Sequence, residues 1–360
     1  MKKYFIWNTV LLPVFLLLGT VVHGQTPYQK EITSYGIQLA QSFNPIQKKA
    51  GLLSFSDTAR LKWNNLPVGL RARAGVSIGN MSIEQRKLVH RILSASLSSQ
   101  GYLKAGSIMH LDDLLNQYYD SLYYKKEIDS DSYKFLHDLK WSHRNFYFAF
   151  FGNPSDSIWG YKLEGHHLSV NFTFTGKQLS VTPWFVGTDP AEYPSTEYAG
   201  WRVLGQEEDL GIRLVGMLSE AQKKKATLST EVPGDIITGA ESGKRLIDYW
   251  GLKASDMNPA QKAVLEYIIR EYVFNLEYEK ASAEFEKIKK AGIDQIYFGW
   301  IGAYEEGKAH YFVLNGPTFL IEFDNSGFGG NANHIHSIWR EKGNEYGEDL
   351  LKKHYQAIKH

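Results

Sequence analysis

A chain of 360 residues, 43% apolar and 14% aromatic, can bury a sizeable core, which excludes wholesale disorder and suits one large domain or two modest ones. Its 40 Lys and Arg against 39 Asp and Glu leave no basic excess, so a nucleic-acid partner is not expected. The absence of cysteine excludes disulfides, thiolate nucleophiles, iron–sulfur clusters and Cys-ligated zinc.

Lys2 and Lys3, the apolar stretch 6–22 interrupted by Pro13, and Val22-His23-Gly24 before Gln25 read as an export signal over 1–24. Pro13, Asn8 and the shortness of the run argue against a membrane anchor, so no stable membrane insertion is expected after cleavage. Loss of Lys2 and Lys3 moves the formal charge from +1 to −1, too little to select a partner. Residues 25–80 read as an N-terminal extension, with 46–63 a linker into a single domain over 81–358.

Ser82-Ile83-Glu84-Gln85 is a capping box that opens a helix. Ile83, Val89, Ile92, Leu93 and Leu97 follow it at helical spacing, with Gly101 as the stop. A second helix is predicted over 108–124. The period then changes: 146–152 is a continuous aromatic run, 161–174 alternates around a turn at Gly165, and 178–186 is a third strand. Helices return at 219–230, 259–275 and 280–290, the last ending at Gly292. Strands follow at 295–303, 310–314, 318–323 and 334–340, with Asn315-Gly316 a hairpin signal.

The second half reads as a worn copy of the first. Residues 146–152 align with 296–302, Leu163-Glu164-Gly165 with Leu314-Asn315-Gly316, and Val170-Asn171-Phe172 with Ile321-Glu322-Phe323. The bland alternative is that two aromatic hairpins look alike. The expected fold class is α+β, with a mostly antiparallel sheet and two pseudo-repeats of a helix-plus-meander unit, 81–190 and 257–340.

Two histidine groups carry the chemistry. In Glu164-Gly165-His166-His167-Leu168-Ser169 a turn feeds a strand. Alternation places His167 on a polar stripe with Ser169, Asn171 and Thr173, and His166 at the end of an apolar one. In Asn333-His334-Ile335-His336, an extended backbone points both imidazoles to one face, ~6.5–7 Å apart. Imidazole suits zinc, copper, iron and nickel, and an open catalytic site commonly has three protein ligands plus water. His334, His336 and one of His166 and His167 meet that count; the alternatives are a metal-free polar pocket and structural histidines. Glu322 and Asp324 share a strand face, so one could be a ligand, a general base or an acceptor that orients a histidine; the alternative for Asp324-Asn325 is turn chemistry. Glu164 is a turn residue or a ligand. Arg340 is an anion clamp or an ion-pair partner of Glu341. The glycine-rich loop 327–331 lacks the strand-to-helix context of a dinucleotide site, and no Gly-x-Ser-x-Gly elbow occurs. Glu207-Glu208-Asp209 reads as a solvated helix start. The tryptophans read mostly as core, with a minority free to line a sugar- or ring-binding cleft.

Trp159-Gly160 with Leu163-Glu164-Gly165-His166-His167-Leu168-Ser169-Val170-Asn171-Phe172-Thr173, and Glu322-Phe323-Asp324-Asn325 with Asn333-His334-Ile335-His336-Ser337-Ile338-Trp339-Arg340, resemble the hallmarks of the domain of unknown function 3500 family. Gly101-Tyr102, Val203-Leu204-Gly205, Asp235-Ile236-Ile237-Thr238-Gly239 and His310-Tyr311 are similar as well. The typical second hallmark ends in Arg-Asp, where this chain has Arg340-Glu341. The resemblance implies an exported bacterial-type protein and supports the histidines as a site, but supplies no reaction.

The expectation is an exported (periplasmic or secreted) metal-dependent enzyme, hydrolytic or oxidative. It would hold a divalent transition metal, zinc or copper, on His166, His167, His334 and His336, and act on a small-molecule or glycan substrate. Asp324 or Glu322 would handle protons. The alternative is a non-catalytic binding protein for a small polar or glycan ligand.

Overall fold

Strands that alternate large apolar residues with small or polar ones pair into a mixed 13-stranded sheet, in a computed structural model that describes residues 25–240, 246–327 and 330–357. The export signal over 1–24 lies outside the described residues. The first half supplies helices α1 (Pro27–Ser42), α2 (Pro45–Gly51), α3 (Ile83–Ser96), α4 (Ser99–Tyr124) and α5 (Ser130–Asp138). Its strands are β1 (Leu52–Leu53), β2 (Val76–Ser77), β3 (Tyr147–Phe151), β4 (Ile158–Gly165), β5 (Leu168–Thr175), β6 (Gln178–Ser180) and β7 (Trp184–Thr188). The second half supplies α6 (Gly205–Gly216), α7 (Glu220–Ala226), α8 (Pro259–Val273), α9 (Tyr278–Ala291) and α10 (Glu348–Ala357). With them come β8 (Thr227–Ser229), β9 (Leu252–Lys253), β10 (Tyr297–Gly302), β11 (His310–Asn315), β12 (Phe319–Asn325) and β13 (Ile335–Glu341).

The strand order β1-β3-β4-β5-β7-β13-β12-β11-β10-β8 is antiparallel except for the β1–β3 and β8–β10 pairs. The chain is therefore α+β with a mostly antiparallel sheet. The same pairing scheme occurs in both halves. Val170 pairs with Trp184 as Ile321 pairs with Trp339, and the two tryptophans pair with each other where β7 meets β13. The helices repeat it too: Gln47 of α2 and Gln85 of α3 exchange side-chain hydrogen bonds, as do Gln222 of α7 and Gln261 of α8. Residues 27–80 are thus part of the body rather than a linker, with α1 packed on α3 and with β1 and β2 paired to β3.

One sheet face carries the main core, where Phe148, Tyr161, Phe172, Phe298 and Phe312 pack with Ile92 and Leu265 of the helices. Burial of each such side chain contributes about 1.5–3 kcal/mol. Segments without regular structure cover the other face: Trp63 and Ile236 pack with Phe185 and Ile338, and Leu246 packs with Tyr311 and Val313. That face holds the site.

Several local expectations change: the helix expected over 108–124 begins at Ser99, and the one expected over 219–230 ends at Ala226, where β8 follows. The predicted strand 178–186 is two strands, β6 and β7, separated at Pro183, which has no N–H for a ladder. Gly101 does not stop a helix but lies in the first turn of α4, so close to Asn275 that a Cβ would sit 2.0 Å from its carbonyl oxygen. Glu207 and Glu208 are not solvated; they are buried against Lys104 (2.5 Å) and Arg202 (2.7 Å).

Candidate metal centre

The β4–β5 hairpin turns on His166 and His167 alone, because Gly165 already pairs with Leu168. His167 has φ +59°, a left-handed conformation that strand alternation does not anticipate. Neither histidine therefore belongs to a strand stripe, and their rings stack with centroids 3.7 Å apart. The His167 N–H donates to the Asn65 carbonyl (3.3 Å).

His336 lies in β13 between Gly187 of β7 and Asp324 of β12. His334 immediately precedes the strand; its N–H donates to Asn325 Oδ1 (3.2 Å), and the Asn325 amide donates to Glu208 (2.8 Å). These placements bring three imidazoles from two distant segments together. His334 Nε2 is 2.8 Å from His167 Nε2 and 3.1 Å from His336 Nε2, and the three ligand nitrogens all lie within 4.8 Å of one another. Metal–imidazole bonds of ~2.0–2.1 Å place tetrahedral ligand nitrogens roughly 3.3 Å apart, so the group could hold one ion. Gly187 makes the convergence possible: a Cβ there would meet His167 Cδ2 at 2.9 Å and His336 Cδ2 at 3.1 Å.

His336 Nδ1 is 2.7 Å from Asp235 Oδ1. A carboxylate only accepts, so Nδ1 carries the proton and Nε2 keeps its lone pair for an ion. Burial first, and then the neighbouring imidazoles, hold His167 and His334 well below the usual 6.5, which keeps both neutral and ready to ligate. Asp189 lies 3.9 Å from His334 Nδ1, and burial pushes its carboxyl up to about 6.

His166 is not in the triad. Its Nδ1 is engaged by the buried Asp112 of α4 at 2.7 Å, so it supports His167 by stacking instead. Asp324 lines the cleft beside the triad; its carboxylate accepts from the Ser326 hydroxyl (2.6 Å) and N–H (3.2 Å), and burial pushes it up to about 6. Glu322 and Arg340 are turned elsewhere. Glu322 accepts from Ile237 N–H (2.6 Å), Thr238 N–H (3.1 Å), the Thr238 hydroxyl and Tyr311 (2.8 Å). Arg340 donates to the Thr238 hydroxyl (2.9 Å), the Thr238 carbonyl and Glu345 (2.5 Å). Both clamp the segment that delivers Asp235, so Arg340 is neither an anion clamp nor a partner of Glu341; Glu341 pairs with Lys287.

A cleft of about 460 Å³ runs from the triad past Trp141, Leu136, Phe135, Tyr119, Leu70 and Pro67. Among the residues that line the cleft or hold the histidines, sequence reasoning missed Asn65, Asp189 and Asp235 on the cleft, and Asp112 and Gly187 beside the imidazoles. Asp112 had a signal, since a carboxylate among Ile108, Leu111 and Leu115 sits on the apolar face of a helix. Asp235 fell within a stretch noted only for its family resemblance.

The family described as protein of unknown function (DUF3500) matches residues 27–348, and the chain belongs to that family. No curated protein and no solved structure matches it significantly.

Proposed function

We propose that this member of the DUF3500 family is an exported metal-dependent enzyme of hydrolytic type. In this reading His167, His334 and His336 hold a divalent transition metal, and Asp324 takes up the proton of the attacking water. One observation carries it: three imidazole nitrogens converge at one end of a largely apolar cleft. Neutral imidazoles leave the ion its full charge, so a bound water becomes acidic near neutral pH. Three protein ligands would leave a position for water, and Asp324 is one of three carboxylates that line the cleft; of the other two, Asp235 is engaged with His336 and Asp189 lies by His334. Zinc supports hydrolysis directly; copper in the same ligand set would favour oxidative chemistry.

Elemental analysis of protein purified without added metal tests the reading. About one equivalent of zinc is expected; copper in its place would keep the metal centre and overturn the hydrolytic assignment. His334→Ala/His336→Ala should lose the metal while still unfolding cooperatively, because neither side chain belongs to a hydrophobic cluster. Unchanged metal content in that variant would overturn the proposal.

A further inference from the structure

The walls of the cleft select what it takes. Helix α5 buries none of its residues, yet it turns Phe135 and Leu136 toward the metal centre. Phe135 is 61% exposed, and Leu70, also on the wall, is 52% exposed. Large apolar side chains left open around one cavity are the surface that an apolar ligand covers. Behind them Trp141 stacks on Tyr119 with centroids 5.1 Å apart and planes at 17°, a flat aromatic surface beside His166.

Charge adds a second constraint. Among the described residues that line the cleft there is no Lys or Arg, and its charged side chains are Asp189, Asp235 and Asp324. The adjoining hollow beyond His334 and Asp189 is also without a cation. Arg340 is committed to Thr238 and Glu345. Among the described residues no cation meets a carboxylate or phosphate on the body of a ligand, which would be desolvated beside three acidic side chains. The volume of about 460 Å³ suits a small molecule rather than a polymer.

Resting on the metal-centre reading, we propose that the site takes compact, uncharged substrates in which an aryl or alkyl body adjoins a single oxygen-donor group. The oxygen faces the metal, the body lies along Trp141, Phe135 and Leu70, and ligands with an anionic body are rejected.

Calorimetric titration of the zinc-loaded protein with three hydroxamic acids tests this, since all share one metal-binding head. Benzohydroxamic acid should bind roughly 10- to 100-fold tighter than acetohydroxamic acid, the gain expected for covering one ring. 4-Carboxybenzohydroxamic acid should lose at least tenfold of that gain. Phe135→Ala/Leu70→Ala, at two exposed positions that the fold does not need, should weaken only the benzo compound. Equal, metal-dependent affinities for the aceto and benzo compounds, or tightest binding of the carboxylated one, would overturn the substrate assignment and leave the metal centre standing. Binding that persists after the metal is stripped, or no binding to loaded protein, would overturn the metal centre itself and this assignment with it.

Discussion

Gly187→Ala isolates the convergence of the histidines from the stability of the sheet. Gly187 has ordinary strand geometry, so the added methyl acts through space alone. It would lie 2.7 Å from the Ile335 carbonyl oxygen, 2.9 Å from His167 Cδ2 and 3.1 Å from His336 Cδ2. Ordinary contact begins near 3.4 Å, so these neighbours must give way by about 0.3–0.7 Å. Functional constellations tolerate shifts of only ~0.5 Å, so metal affinity should fall about 10- to 100-fold, or ~1.4–2.8 kcal/mol. The metal-free fold should lose about 1–3 kcal/mol from overpacking. Gly160→Ala is the control. Its Cβ would meet the Phe172 carbonyl oxygen at 2.5 Å, at the end of β4 remote from the histidine turn. Chelator competition measures affinity, and urea denaturation without metal measures stability. Both variants should be destabilised and only Gly187→Ala should bind metal more weakly. Wild-type affinity in Gly187→Ala, or equal losses in the two, would refute the steric reasoning.

Asp235→Asn should weaken metal binding about tenfold with little effect on metal-free stability, since the carboxylate is half-exposed and acts on His336; equilibrium dialysis checks this. Glu322→Gln should weaken it as well, by loosening the segment that carries Asp235, and amide exchange at Ile237 and Thr238 should rise in parallel. The metal-free protein should lose stability as pH falls below about 6.5, because unfolded imidazoles take protons there while buried His167 and His334 resist until well lower. Asp189 and Asp324, raised to about 6, act in the opposite sense between about 4 and 6. Denaturation at pH 7.5 and 5.5 should therefore show a smaller loss in His334→Gln than in the wild type, and an equal loss would contradict the assignment. N-terminal sequencing of protein recovered outside the cytoplasm should begin near Gln25; an intact Met1 would contradict export.

The α+β class, the hairpins and the starts of α3 and α8 were legible in the sequence because each depends on residues a few positions apart. Ser82 with Gln85, and Asn258 with Gln261, form their capping boxes within one turn. Asn315-Gly316 leads out of β11 into the β11–β12 hairpin, and Gly292, with φ +103°, ends α9. The histidines were legible as residue types at suggestive spacings. Which of them meet was not, because that follows from the left-handed φ of His167 and from Asp112, 54 positions away, which draws His166 aside. Glu322 and Arg340 have the composition of catalytic residues, but their partner is Thr238, 84 and 102 positions away, and only folding shows that they hold a segment in place. Asp235 reaches His336 across 101 positions, and Gly187 matters only because two imidazoles pack against it. Turns and caps are decided by short-range hydrogen bonds, which the sequence carries in order. The protonation of His167 and His334, and the role of each carboxylate, are decided by burial and by neighbours that the chain supplies only once its distant segments have packed.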